Sequence, residues 1–158
     1  MEFVKIETTT YGNKRFSFEI ESEGLYKINC LSGVPIESLD KIYEVCIMDN
    51  YLILLTEDRD LRNGFRPTPF IKEDRSENNV LVYDLCGNFL WNIGSVVGDI
   101  KMPFDSISCV FKSETEDEYG ITLPCVSDVL LKCTAGGFTF IIDTDNKTLL
   151  AKISGKAR

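Results

Sequence analysis

The sequence predicts an all-β fold of antiparallel meanders, in which two four-stranded units follow an N-terminal β segment. Apolar residues occur in short runs, either continuous or alternating with polar residues, and this pattern is typical of strands. Polar turn residues such as Asp, Asn and Gly separate the runs. No long stretch has the spacing of an amphipathic helix. A β-sandwich or an open barrel is the alternative arrangement of the same strands.

The length of 158 residues favours a single domain covering residues 1–158. Within it the pattern separates an N-terminal β segment at 1–41, a first β unit at 42–100 and a second at 101–158. Hydrophobic residues make up 44% and charged residues 27% of the chain, as in ordinary globular proteins. Such a chain can bury a core without metal or disulfide crosslinks.

The N-terminal segment is predicted to be mostly β. Residues 3–6 and 25–28 are short apolar runs, and residues 16–20 alternate apolar and polar side chains along FSFEI, which places one apolar face on a strand. Residues 34–41 are predicted as a short helix. Pro35 can occupy a first helical turn, and the apolar residues that follow it have helical spacing.

The first β unit has four predicted strands, at 43–48, 51–55, 80–83 and 89–93. The run YLILL at 51–55 is continuously apolar, which indicates a strand covered on both faces. Trp91 lies in the fourth strand and is predicted to be a core residue.

The second β unit repeats the order of the first. Strands are predicted at 107–111, 128–133, 138–142 and 148–153, with a hairpin turn at 143–147. Moving residues 82–84 along the chain by about 59 residues places them on 141–143 without a gap, so the pattern predicts an internal repeat. Any antiparallel meander has a similar pattern, which is the alternative explanation.

The segment 80–91 resembles the third strand, turn and fourth strand of a β-propeller blade. Asp84 closes the strand, Gly87 and Asn88 form the turn, and Trp91 lies on the returning strand. Residues 140–147 are similar to a second copy, and the resemblance covers about 42–94 and 104–155. It implies two propeller-like units, whereas closed propellers have roughly four to eight blades. The WD and kelch signatures are missing, so no function of that family is carried over.

The net charge of −8 disfavours a nucleic-acid partner, since such proteins carry a basic face. It is compatible with a basic protein partner. Two blade-like sheets cannot close a ring, and uncovered faces and strand edges favour association. A two-fold homodimer is therefore predicted.

Several chemistries are excluded by what the sequence lacks. There is no histidine, which removes Ser-His-Asp and Cys-His catalysis and the commonest metal ligand. Neither a P-loop, a GxSxG elbow nor a GxGxxG fingerprint occurs. We therefore expect no enzyme activity, no cofactor and no metal.

The cysteines and the N-terminal residues indicate the cellular compartment in which the protein is located. No cysteine pair has CxxC spacing, and reduced, mostly buried thiols are expected. The N-terminal residues carry charges where a signal peptide would be apolar, and no apolar run approaches the length of a membrane helix. A cytoplasmic location without membrane association is therefore predicted. The six cysteines are Cys30, Cys46, Cys86, Cys109, Cys125 and Cys133.

A long polar segment at 57–77 holds the first candidate site. It interleaves arginine with phenylalanine around Pro67 and Pro69, and this composition is enriched at interface hot spots. The partner-binding candidates are Arg62, Phe65, Arg66 and Phe70. Phenylalanines that simply pack on the core are the alternative.

A second candidate is the acidic turn at 114–120, which could receive a cationic partner. Its acidic residues are Glu114, Glu116, Asp117 and Glu118. A solvated loop tip is the alternative explanation.

The sequence does not reveal a biochemical function. A non-enzymatic binding module is the favoured class, with an unidentified protein partner. One alternative is an inhibitor resembling bacterial immunity proteins, which would use an acidic surface. The other is an enzyme that relies on carboxylates.

Overall fold

The computed structural model describes residues 8–9, 16–20, 26–30, 34–38, 40–48, 50–57, 79–98 and 102–154. These residues form three β-sheets and two helices. The N-terminal strands are β1 Thr8–Thr9, β2 Phe16–Ile20, β3 Tyr26–Cys30 and β4 Ile36–Ser38. The first unit contains β5 Lys41–Ile47, β6 Tyr51–Glu57, β7 Val80–Asp84, β8 Phe89–Asn92 and the short helix α1 Gly94–Val97. The second unit contains β9 Ser106–Phe111, helix α2 Lys112–Tyr119, β10 Val129–Ala135, β11 Phe138–Asp143 and β12 Thr148–Ser154.

Each β unit is a four-stranded antiparallel meander, as the sequence predicted. Strands β5, β6, β7 and β8 lie side by side in chain order, and β1 extends this sheet by pairing in parallel with β5. Strands β9, β10, β11 and β12 do the same in the second sheet. The all-β fold class and the antiparallel meanders are therefore confirmed.

The last hairpin of each unit follows the predicted repeat. Four residues separate β7 from β8, and four separate β11 from β12. Both hairpins carry an irregularity in register at corresponding places, between Val82 and Tyr83 and between Ile141 and Ile142, which lie 59 residues apart. The two units differ in the position of their longest connection. It follows β6 in the first unit and β9 in the second.

The prediction of a short helix at 34–41 is wrong. Ile36–Ser38 forms strand β4, which pairs with β3 and places Ile36 opposite Ile28. Both isoleucines are buried, so sheet pairing and burial override the helical spacing of a short run. Strands β2, β3 and β4 together form a three-stranded N-terminal sheet.

The first meander is the middle layer of the molecule. Alternate residues of β6 face opposite sides, so Leu52 and Leu54 pack with Tyr26, while Ile53 and Leu55 pack towards the second meander. Leu52, Ile53 and Leu54 are 0% exposed and Leu55 is 1% exposed. The predicted burial of this strand on both faces is confirmed.

A buried asparagine joins the two meanders. Asn79 lies just before β7 and is 8% exposed. Its Nδ2 donates to the carbonyl oxygens of Thr56 at 3.0 Å and Phe104 at 2.9 Å, and its Oδ1 accepts from the Phe104 amide at 3.0 Å. The side-chain amide thus pairs with Phe104 as a strand backbone would, and it satisfies polar groups that would otherwise be buried without partners.

Trp91 is buried, as predicted. It is 8% exposed and belongs to the core between the two meanders. On the same strand, Phe89 is 55% exposed, so the two aromatic residues form a matched pair for substitution.

We expect Asn79→Ala to lower the free energy of unfolding by about 3 kcal/mol, because it leaves buried backbone groups of Thr56 and Phe104 unpaired. Urea denaturation followed by circular dichroism measures this change. Asn50→Ala, at an exposed position, is the control and should leave the midpoint nearly unchanged. Equal losses in the two variants would show that the Asn79 contacts do not hold the units together.

We expect Trp91→Ala to cost about 3–5 kcal/mol of stability, as for large aromatic residues removed from a core. Phe89→Ala should cost less than about 1 kcal/mol, since most of its ring already contacts solvent. Thermal denaturation of the two variants provides the comparison. A Trp91→Ala variant that melts like Phe89→Ala would contradict the core assignment.

Candidate functional site

A cleft of about 220 Å³ lies where the two meanders meet. Three segments line it: the β5–β6 hairpin, the residues around the start of β10, and the β11–β12 turn. In chain order the lining residues are Met48, Asn50, Tyr51, Ser127, Asp128, Val129, Thr144 and Asp145.

The β5–β6 hairpin presents the first wall. The Met48 amide donates to the Tyr51 carbonyl at 2.8 Å, which closes a tight turn and brings Asn50 to its tip. Tyr51 is the first residue of β6. Its side chain packs beside the core between the meanders, and its hydroxyl reaches the second unit.

The β11–β12 turn presents the opposite wall and is ordered by Asp143. This side chain is 2% exposed. Its Oδ1 accepts from the Asp145 amide at 3.1 Å, and its Oδ2 accepts from Asn146 Nδ2 at 2.9 Å. A carboxylate that bonds its own following backbone is a common way to form a turn, and the hairpin turn predicted at 143–147 is confirmed.

Hydrogen bonds hold the Asp145 carboxylate at both of its oxygens. The Tyr51 hydroxyl donates to Oδ1 at 3.0 Å, and Ser127 Oγ donates to Oδ2 at 3.2 Å. The first of these bonds crosses from one meander to the other. Asp145 is therefore fixed in place while remaining exposed to the cleft.

The cleft combines negative charge with apolar surface. Asp128 and Asp145 supply carboxylates, whereas Met48, Val129 and the Tyr51 ring supply apolar walls. Within the described chain, none of the residues lining it is basic. Burial raises the pKa of Tyr51, and the hydrogen bond and charge of Asp145 raise it further. The Tyr51 hydroxyl is consequently a donor at neutral pH.

The acidic segment predicted as a turn is instead helix α2, Lys112–Tyr119, which ends at Gly120 with φ of 66°. Polar residues with good helix propensity outweigh the weak apolar periodicity of the segment. Glu114, Asp117 and Glu118 are exposed on it. Glu116 Oε2 instead accepts from the Leu123 amide at 2.7 Å, so this residue fixes the chain after the helix. A partner for these acidic residues stays a prediction.

The arginine and phenylalanine candidates, Arg62, Phe65, Arg66 and Phe70, lie outside the described residues. Their role in partner binding also stays a prediction.

Burial disfavours the reactive thiolate at two of the cysteines whose side chains the structure describes. Cys46 and Cys133 are buried in strands, Cys109 and Cys125 are half-buried, and Cys86 is exposed in the β7–β8 turn, all as thiols. Burial raises the pKa of the Cys133 thiol, and burial is also the main reason why the pKa of Cys125 is raised. A raised pKa disfavours the nucleophilic thiolate. Among the described residues, no three acidic or cysteine side chains are grouped to hold a metal ion.

The cleft is not apparent from the sequence, because each of its residues has a structural explanation when it is considered alone. Tyr51 begins a core strand, and Asp145 lies in an ordinary hairpin turn. They are 94 positions apart, and only the packing of the two meanders brings them together. The one usable signal was the density of acidic and amide residues at 143–146.

The sequence matches no protein-family model, and comparisons with curated proteins and with solved structures found no match. In the part of the chain that the structure describes, neither helix has the length and apolar character needed to cross a membrane.

We expect the raised pKa of Tyr51 to make stability fall as the pH rises above about 10. The unfolded chain then releases the Tyr51 proton near the ordinary tyrosine pKa of about 10, whereas the folded chain retains it because its pKa is higher, so ionisation favours unfolding. Urea denaturation between neutral pH and pH ~11 should show a smaller decline for Tyr51→Phe than for the wild type. Tyr83, whose pKa is also raised by burial, is present in both proteins, so the difference between their slopes reports on Tyr51. Parallel slopes for the two proteins would contradict the assignment.

Proposed function

We propose that this protein is a non-enzymatic binding module whose cleft receives a cationic side chain of a protein partner. The cleft between the meanders is the observation that carries the proposal, because it places two carboxylates beside an apolar wall in a concave surface.

The size of the cleft favours a single side chain over a metabolite. Sites for small molecules usually enclose roughly 300–1,000 Å³, and this cleft encloses about 220 Å³. One arginine or lysine side chain on a partner surface matches that scale.

The chemistry of the walls favours an occupant with an apolar stem and a charged end. Long basic side chains lay their methylene groups on apolar surface and direct the charge to polar groups. Met48 and Val129 provide such surface, and Asp128 and Asp145 provide the charge. The Tyr51 ring adds an aromatic face, against which a guanidinium group stacks well. Arginine fits these walls better than lysine.

The hydrogen bonds of Asp145 favour binding over catalysis. Both of its oxygens already accept hydrogen bonds from Tyr51 and Ser127, which hold the carboxylate in one orientation, as suits an acceptor for a cationic group. This observation ranks the binding module above the carboxylate-based enzyme.

The overall charge of −8 supports a basic partner, because complementary charge speeds association and selects among partners. An inhibitor acting on a basic toxin is a narrower form of this proposal. The cytoplasmic location and the homodimer remain predictions.

The test uses short peptides and nuclear magnetic resonance of the labelled protein. A glycine-flanked arginine peptide is compared with the same peptide carrying citrulline, which has the shape of arginine but no charge. The arginine peptide should shift the amide resonances of residues 50–51, 127–129 and 144–145, and the citrulline peptide should not. Asp145→Asn should weaken binding about tenfold, which corresponds to roughly 1.4 kcal/mol.

Asp117→Asn removes one exposed charge on α2 and is the matched control, expected to bind as the wild type does. Equal binding of arginine and citrulline peptides would reject a cation site. Shifts spread equally over α2 and the cleft would show general charge attraction instead of a site.

A further inference from the structure

The β11–β12 turn, residues 144–147, touches the first meander at two separate places. At its beginning, Asp145 accepts the hydrogen bond of Tyr51. At its end, Lys147 Nζ lies 5.9 Å from the centre of the Trp91 ring, within the range of a cation–π contact. One short turn therefore joins the cleft to a buried tryptophan.

The backbone of the turn is unfavourable at Lys147. Its φ is 52°, a left-handed conformation that residues other than glycine rarely adopt. In the corresponding turn of the first unit, the residue with positive φ is Gly87, at 93°. The surrounding contacts must therefore hold Lys147 in place.

The buried tryptophan also has a hydrogen-bond donor without an acceptor. Trp91 Nε1 is the one buried side-chain nitrogen or oxygen without a hydrogen-bond partner in the described part of the chain. A buried donor without an acceptor is destabilising. The unfavourable backbone and the unpaired donor therefore belong to the two residues that meet in the Lys147–Trp91 contact.

We infer that the 144–147 turn is a clasp that opens when a cationic group occupies the cleft. The inference rests on the proposed function. A guanidinium bound to Asp145 competes with the Tyr51 hydroxyl for the same carboxylate, and loss of that bond detaches the beginning of the turn from the first meander. Lys147 then leaves the Trp91 ring, and the indole N–H gains access to solvent. Binding shifts the population from closed to open because the occupant prefers the open form.

Trp91 is the sole tryptophan of the chain, so its fluorescence reports on the clasp directly. The first arm of the test needs no ligand. Tyr51→Phe removes the hydroxyl that holds Asp145, and it should shift the emission to longer wavelength and increase quenching by acrylamide. Tyr119→Phe is the matched control and should leave both unchanged. Identical quenching of Tyr51→Phe and the wild type in the folded state would overturn the clasp.

The second arm adds the arginine peptide while fluorescence and amide resonances are recorded on the same sample. The clasp predicts that the emission shift and the cleft resonances follow one binding curve. Lys147→Gln removes the ammonium group and keeps a side chain at the left-handed position, so the free variant should already show the open emission and change little on binding. If the cleft resonances move while the wild-type emission stays fixed, the clasp is rejected but the proposed binding site is not. Cleft resonances that stay fixed would reject the proposed function, and with it the clasp as a response to binding.

Discussion

Strand β6 is apolar on both faces, and the need to bury both of them determines how the other sheets are arranged. Four successive residues from Leu52 to Leu55 are almost fully inaccessible, and in a strand successive side chains point to opposite faces. A single sheet cannot satisfy such a strand. Sheets must therefore lie on both sides of it, which the N-terminal strands and the second meander provide. Burial of a leucine or isoleucine side chain contributes about 1.5–3 kcal/mol, so this arrangement has a large share in the stability of the fold.

Packing two twisted sheets against a third leaves gaps at the ends of the strands, where the hairpin turns do not interdigitate. The cleft is such a gap. Polar contacts fasten the two meanders on the inner side of this arrangement: Glu44 Oε1 accepts from the Ile107 amide at 2.8 Å, and Asn79 pairs with Phe104. At the cleft, the bond from the Tyr51 hydroxyl to Asp145 joins the two walls. The molecule thus has firm contacts along the core and a sparser contact where an occupant would bind.

The strands were predictable because each depends on a local pattern of apolar and polar residues. The run at 51–55 indicated a doubly covered strand, and the turn residues at 84–88 and 143–147 indicated hairpins. Two local predictions were wrong where a pattern was too short or too polar to decide. The run at 34–41 has helical spacing over barely two turns, and pairing of Ile36 with Ile28 determined its conformation. The segment of α2 has almost no apolar periodicity, so its helix could not be recognised from that signal. The cleft was beyond prediction because it depends on contacts such as that between Tyr51 and Asp145, which only the packing of the sheets creates.

The last hairpins of the two meanders carry bulges at corresponding positions, and these bulges affect the shape of both sheets. Each hairpin shifts its register at the same step of its inner strand, between Val82 and Tyr83 in one and between Ile141 and Ile142 in the other. A bulge is an extra residue in one strand, and such features persist within families because the neighbouring twist adapts to them. Side-chain identities between the two segments are few, yet the backbone irregularity coincides. Because a bulge bends its strand and increases the local twist, the outer strands β8 and β12 bend at equivalent steps of the two sheets.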